Sequence, residues 1–150
     1  MPIDHADFIR QAYALAAEAA RRGDDPFGAL LAADGQVVLT ASNTVHTEHD
    51  PTRHAELNLV SRAARSLPAE LLARCTLYTS TEPCVMCTGA IFWAGLPRVV
   101  FGCSAAAVAG RYGADWAVAC RETLTRLHSA VEVVGPLLES EGLPLHPSGR

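Results

Sequence analysis

Apolar residues recur along this chain with two spacings, every three to four residues in some stretches and every second residue or in short runs in others. The changes of spacing outline an α/β protein. Over residues 4 to 22, Phe8, Ala12, Leu15, Ala16 and Ala19 share one helical face, with Asp4 placed to cap the first turn. Gly23-Asp24-Asp25-Pro26 breaks that helix. Gly28 to Ala33 and Gln36 to Ser42 read as two strands joined at Asp34-Gly35, a dipeptide suited to a tight hairpin because both residues accept positive φ. Asn43 to Glu48 reads as a loop. Asp50 and Pro51 have the form of a cap and a first helical residue, so a second helix is expected from there to about Ser66. Cys75 to Thr79 is a short buried strand, Pro83 to Gly95 a third helix, Arg98 to Phe101 a fourth strand and Val131 to Val134 a fifth. One or two helices lie between the last two strands. The tail from Pro136 reads as partly helical, then proline-rich and loose. A hairpin followed by alternating helices and strands predicts a three-layer α/β/α sandwich around a five-stranded mixed sheet.

Composition narrows the class. The 150 residues suit one domain, expected to span 1–150, and an apolar share of 49% excludes disorder. No run of about 18 apolar residues suggests a membrane span, and an N-terminus carrying Asp4 and Asp7 does not look like a secretory signal; a soluble, cytoplasmic protein is expected. Net charge is −4 and all basic residues are arginines. The adjacent pair Arg21-Arg22 is followed at once by Asp24 and Asp25, so no basic stripe is evident and nucleic acid is disfavoured as the substrate. Of the five cysteines, Cys75, Cys103 and Cys120 form an odd remainder, expected as small buried thiols.

The chemistry concentrates in two short segments, His54-Ala55-Glu56 and Pro83-Cys84-Val85-Met86-Cys87. His54, Cys84 and Cys87 are a ligand set for zinc, Zn2+. Three protein ligands leave the fourth tetrahedral position open, as in catalytic sites. Zinc lowers the pKa of a bound water from about 15.7 to about 7. A carboxylate that is not a ligand, Glu56, can then carry the water's proton to a leaving group. Displacement of ammonia from an amidine-like ring carbon needs both parts. Cys84 and Cys87 share one face at a helix start, whose partial positive charge favours thiolates. His54 and Glu56 are less simple: two residues apart on an ideal helix they point about 200° apart. They serve one site only if the metal lies off the helix flank near its end.

H-x-E followed by P-C-x-x-C resembles the signature of the zinc-dependent cytidine and nucleobase deaminases. Pro26-Phe27-Gly28-Ala29, Asn43, Asp50-Pro51-Thr52 and Leu77 to Glu82 are similar to the same superfamily and stand in the same order. The resemblance implies a cytidine-deaminase-like fold with Glu56 catalytic. It also implies substrate contacts from the Asn43 side chain, from Phe27 as an apolar wall, and from the backbone N–H of Ala55 and carbonyl of Glu82. Trp93 falls inside the third helix, where core packing and a place in the substrate pocket are both open. Such proteins commonly form homodimers, sometimes with the neighbour closing the pocket.

Glu82 to Cys87 is nearly identical to the segment of tRNA adenosine deaminases, yet Gly102 to Gly110 is uncharged and alanine-rich, unlike theirs. That stretch looks more like guanine-type base deaminases, in which an acidic residue just downstream reads the purine edge. Asp115 is the nearest match, with a helix cap as the equal reading. The aromatic, charged tail of some guanine deaminases has no counterpart in Leu143 to Arg150. The expected substrate is a free base with a guanine-like 2-amino-oxo edge: guanine, 8-oxoguanine, isocytosine or ammeline. Cytosine is the runner-up, because Cys87-Thr88-Gly89-Ala90-Ile91 also resembles fungal-type cytosine deaminases; cytidine, guanosine and tRNA adenosine follow. The competing class is a zinc-stabilised binding domain without activity, which has no need of Glu56.

Overall fold

The computed structural model, which describes residues 4–147, opens on the expected helix, α1 (His5–Arg22). Asp4 caps it by accepting a hydrogen bond from Asp7 N at 3.2 Å, and Gly23 ends it at φ 98°. The hairpin β1 (Gly28–Ala33) and β2 (Gln36–Ser42) turns at Asp34 and Gly35, both with positive φ as the sequence required.

The second helix starts later than expected. Asp50 Oδ1 accepts from both Thr52 N (2.8 Å) and Thr52 Oγ1 (2.7 Å), closing a local turn instead of capping a helix. The short helix α2 (Val45–Glu48) replaces the expected loop. The buried carboxylate of Asp24 supports it, accepting from His46 N at 3.0 Å and Thr47 N at 2.8 Å. Although burial opposes ionisation, bonds from Thr47 and Arg22 hold Asp24 well below the usual carboxylate range. Helix α3 then runs Ala55–Ser66, followed by the short α4 (Ala69–Leu72).

β3 (Thr76–Thr81), α5 (Val85–Ala94) and β4 (Arg98–Cys103) follow, with both strands extending two residues past the expected ends. Two helices, α6 (Ala105–Arg111) and α7 (Cys120–Arg126), precede β5 (Glu132–Val134). The sheet order is β2-β1-β3-β4-β5; β1 pairs antiparallel with β2 and β3, and the last three strands are parallel. Alternation along the strands sorts side chains to two faces. Ala29, Leu31, Leu77 and Val99 pack with Leu59 of α3 and Ile91 of α5; Leu30, Tyr78 and Val100 pack with Phe8, Ile9 and Tyr13 of α1 and Val108 of α6. This is the five-stranded mixed α/β sandwich the pattern predicted.

The tail is better fastened than its composition suggested. After α8 (Glu139–Gly142) and a 3₁₀ turn (Leu143–Leu145), His146 is buried, only 2% exposed. Tyr13 Oη donates to Leu138 O at 3.0 Å, Glu139 Oε2 accepts from Ser104 N at 2.7 Å, and Arg10 clasps Glu141. The last residues of the tail, 148–150, lie outside the described residues. Among the described residues no helix is long and apolar enough to cross a membrane.

Candidate active site

The chemistry-bearing segments meet at one end of the sheet. Parallel β3 and β4 finish there, and β1, antiparallel to β3, begins there, so Phe27 and Gly28 lie near the exits of both strands. Gly28 N donates to Ser80 Oγ at 3.1 Å, locking this corner. In sheets with parallel strands, ligand sites favour the strand C-terminal ends.

His54 is not a helical residue. Its backbone is extended (φ −67°, ψ 154°) at the cap of α3, whose first residue is Ala55. The helical angle of about 200° therefore does not apply between His54 and Glu56. The α3 start leaves Glu56 in the first turn, buried at 6% exposure, in the same pocket as His54. Cys84 likewise caps α5 and Cys87 sits in its first turn, fully buried.

His54 Nδ1 lies 3.5 Å from Cys84 Sγ and 3.7 Å from Cys87 Sγ, and the three ligand atoms fall within 4.8 Å of one another. Zinc bonds of about 2.3 Å to sulfur and about 2.05 Å to nitrogen, at a tetrahedral angle, place sulfur and nitrogen about 3.6 Å apart. Both nitrogen–sulfur distances match that spacing. The hydrogen bond from Cys87, with another from His54, pulls the Cys84 thiol down to about 4 against the effect of burial. That bond and burial raise Cys87 in turn. Burial pushes Glu56 up to about 7.

A cavity of about 330 Å³ opens over this triangle. Phe27, Val108, Trp116, Val118, Val85 and Met86 supply its apolar walls, and Glu56, Thr81 and Glu82 lie among its lining. Among the described residues no arginine lines it. The volume falls within the range of small-molecule sites, about 300–1,000 Å³.

The structure brings His54, Glu56, Cys84, Phe27 and Glu82 into this pocket, with Cys87 fully buried behind it as the third member of the triangle. Ala55 is buried at the first position of α3. Asn43 is buried but does not line the cavity; its N donates to Phe27 O and its Oδ1 accepts from Val45 N, both at 3.0 Å, so the carboxamide oxygen is already used to start α2. Asp115 is exposed in a stretch without regular structure and does not line the cavity. Trp93 belongs neither to the core nor to the pocket. It is 82% exposed on the outer side of α5, where it meets Phe92 edge-on. Its helical position suggested burial, but α5 is apolar on nearly every side and only one side faces the sheet.

Several lining residues were not evident from the sequence. Val85 and Met86 occupy the two places between the cysteines; apolar side chains on the open side of a helix start were the available signal. Trp116 and Val118 are an isolated aromatic and a β-branched residue between Gly113 and Cys120, and nothing in their spacing ties them to His54. The other three thiols, Cys75, Cys103 and Cys120, are free and buried as expected.

Residues 2–103 match the family described as the cytidine and deoxycytidylate deaminase zinc-binding region. Guanine deaminase of Bacillus subtilis (strain 168) is 44% identical over 100 residues, covering 66% of this chain and 64% of that protein. A probable cytosine deaminase of Schizosaccharomyces pombe is 35% identical over 148 residues, covering 93% of this chain and 88% of the relative. A solved structure of a tRNA:A34 deaminase, from work on A-to-I editing at the wobble position, superposes with a TM-score of 0.76 at 30% identity, covering 93% of this chain and 99% of that one. The chain thus spans less than two-thirds of the guanine deaminase and nearly all of the tRNA deaminase structure. With the zinc-ligand triangle, the adjoining carboxylate and the mixed sheet all in place, the chain belongs to the zinc-binding cytidine and deoxycytidylate deaminase family.

Proposed function

We propose that this protein hydrolytically deaminates a free, guanine-like base with a 2-amino-oxo edge, guanine itself first, then 8-oxoguanine, isocytosine and ammeline. The observation that carries the reading is Glu56 buried beside the His54-Cys84-Cys87 triangle in a cavity with largely apolar walls. Zinc, when held by these three residues, activates water and polarises the site. Glu56 takes a proton from the attacking water and delivers it to the amino group. The C–N bond breaks, ammonia leaves, and the ring carbon keeps the oxygen. Phe27 and Trp116 offer flat apolar surface to the ring, and the walls they form with Val85, Met86, Val108 and Val118 suit the faces of a base. Asn43, next to Phe27 in the hydrogen-bond pattern, remains a proposed reader of a polar edge together with the backbone of Ala55 and Glu82, while Asp115, outside the cavity lining, is not retained in that role. Cytosine is the second reading, supported by the yeast relative that aligns along 93% of this chain.

Ammonia release from guanine, ammeline, isocytosine, cytosine, cytidine, guanosine and a tRNA anticodon stem-loop, assayed side by side with zinc-loaded protein, tests the substrate class. Turnover of cytidine or the stem-loop alone overturns it. Glu56→Gln should keep one zinc per chain and lose at least about a hundredfold in rate, the usual contribution of a positioned proton carrier. An unchanged rate removes Glu56 from the mechanism.

We further propose a homodimer that covers the outer face of α5. Trp93 is exposed there, and the pocket-lining Val85 and Met86 are exposed at the start of the same helix, whose all-round apolar character is that of one packed on both sides. The free buried thiols suit a reducing, cytoplasmic setting, and the family match with one continuous sheet supports a single deaminase domain over 1–150.

A further inference from the structure

We propose that the side chain of Glu82 is a positioning group that holds the outer wall of the pocket and so governs substrate binding; the proposal rests on that pocket being the substrate site. Glu82 is 7% exposed. Its Oε1 accepts from Ala105 N at 3.0 Å and its Oε2 from Cys120 N at 2.8 Å. Those N–H groups belong to the first residues of α6 and α7, the two helices that bracket residues 112–119. Ala105 and Val108 of α6 line the cavity, as do Trp116 and Val118 of the intervening stretch.

The stretch has little support of its own. It carries no strand or helix, and Trp116 is 62% exposed. Its placement therefore follows from where its flanking helices start. Glu82 is itself anchored to the sheet: it follows β3 directly, and its N donates to Cys103 O at 2.7 Å at the end of β4. One carboxylate transmits the position of the sheet to both helix starts at once. Only an acceptor with two oxygens and no donor satisfies both N–H groups. Glutamine, nearly the same in shape, turns an NH₂ toward one of them.

The test uses zinc-loaded protein labelled with 5-fluorotryptophan. Trp93 and Trp116 are the two tryptophans of the chain, so ¹⁹F NMR shows two resonances, assigned with Trp116→Phe. In Glu82→Gln the Trp116 resonance is expected to shift or broaden while that of Trp93 stays put. Zinc stoichiometry should remain one per chain. KM for guanine should rise about tenfold, the effect of one lost hydrogen bond to a charged acceptor, with kcat within about threefold. Cys120→Pro is the second variant; at a first helical position that tolerates proline it deletes one of the two N–H donors, its ring Cδ displaces Glu82 Oε2 from the start of α7, and it should move the same resonance and KM. An unmoved Trp116 resonance in both variants, loss of zinc in either, or a fall in kcat with KM unchanged overturns the proposal. The ¹⁹F comparison needs no substrate, so a protein inactive on guanine defeats the substrate reading alone.

Discussion

Acidification is expected to loosen the C-terminal segment from the back of the pocket wall. His146 is buried with its ring 5.1 Å from that of Phe27, and Tyr112 Oη shares a hydrogen bond with its Nδ1 at 3.0 Å. Burial pushes the imidazole down to about 4, from 6.5 when free, and the nearby charge of Arg111 acts in the same direction. The fold therefore accepts the neutral ring. Its contribution to stability is intact above pH 6.5, declines as the pH falls and is gone by about pH 4. That gap corresponds to about 3 kcal/mol, with a maximum slope of about 1.4 kcal/mol per pH unit. Urea unfolding between pH 4 and pH 8, on wild type and His146→Phe, measures it. The variant keeps an aromatic ring beside Phe27 and cannot titrate, so its stability should fall less steeply across the window, whatever its offset. Titration of the zinc ligands is common to both proteins and cancels in the difference. Parallel pH profiles would refute the reasoning.

Gly28→Ala should destabilise strongly, because the added Cβ meets Ala12 O at 2.5 Å and Ala16 N at 2.6 Å, backbone atoms of α1 that cannot swing aside. A loss of about 3 kcal/mol, at the upper end for overpacking, lowers Tm by roughly 6–12 °C; a change under about 1 °C in a thermal melt would mean α1 shifts freely. Gly89→Ala, which meets nothing within 4 Å, is the control and should gain about 0.5–1 kcal/mol in the α5 interior. Trp93→Arg should shift the protein toward monomer in sedimentation velocity, and an unaltered sedimentation coefficient would place any dimer contact elsewhere.

Particular elements show how far the chain could be read. Asp4, Gly23 and Asp34-Gly35 act through bonds and dihedrals within a few residues, so α1 and the hairpin were legible as they stand. Asp50-Pro51 misled because the same carboxylate can cap a helix or close a turn, and Thr52 decided for the turn. The zinc ligands were legible because metal coordination demands specific atom types; the apparent misdirection of His54 against Glu56 vanished once His54 proved to be an extended cap. Trp93 went the other way, since periodicity marks an apolar residue without saying whether its side of a helix meets the sheet.

The sequence by itself determined the layer architecture, the order of the strands and main helices, the candidate zinc-ligand triad and the carboxylate proposed to carry the proton. Those depend on local periodicity and on residue chemistry. Only the tertiary structure decided that Trp116 and Val118 face Glu56, that Glu82 joins the starts of α6 and α7, and that His146 backs Phe27. These pairings join residues far apart along the chain, and no short-range pattern records which distant N–H or ring a buried side chain will meet.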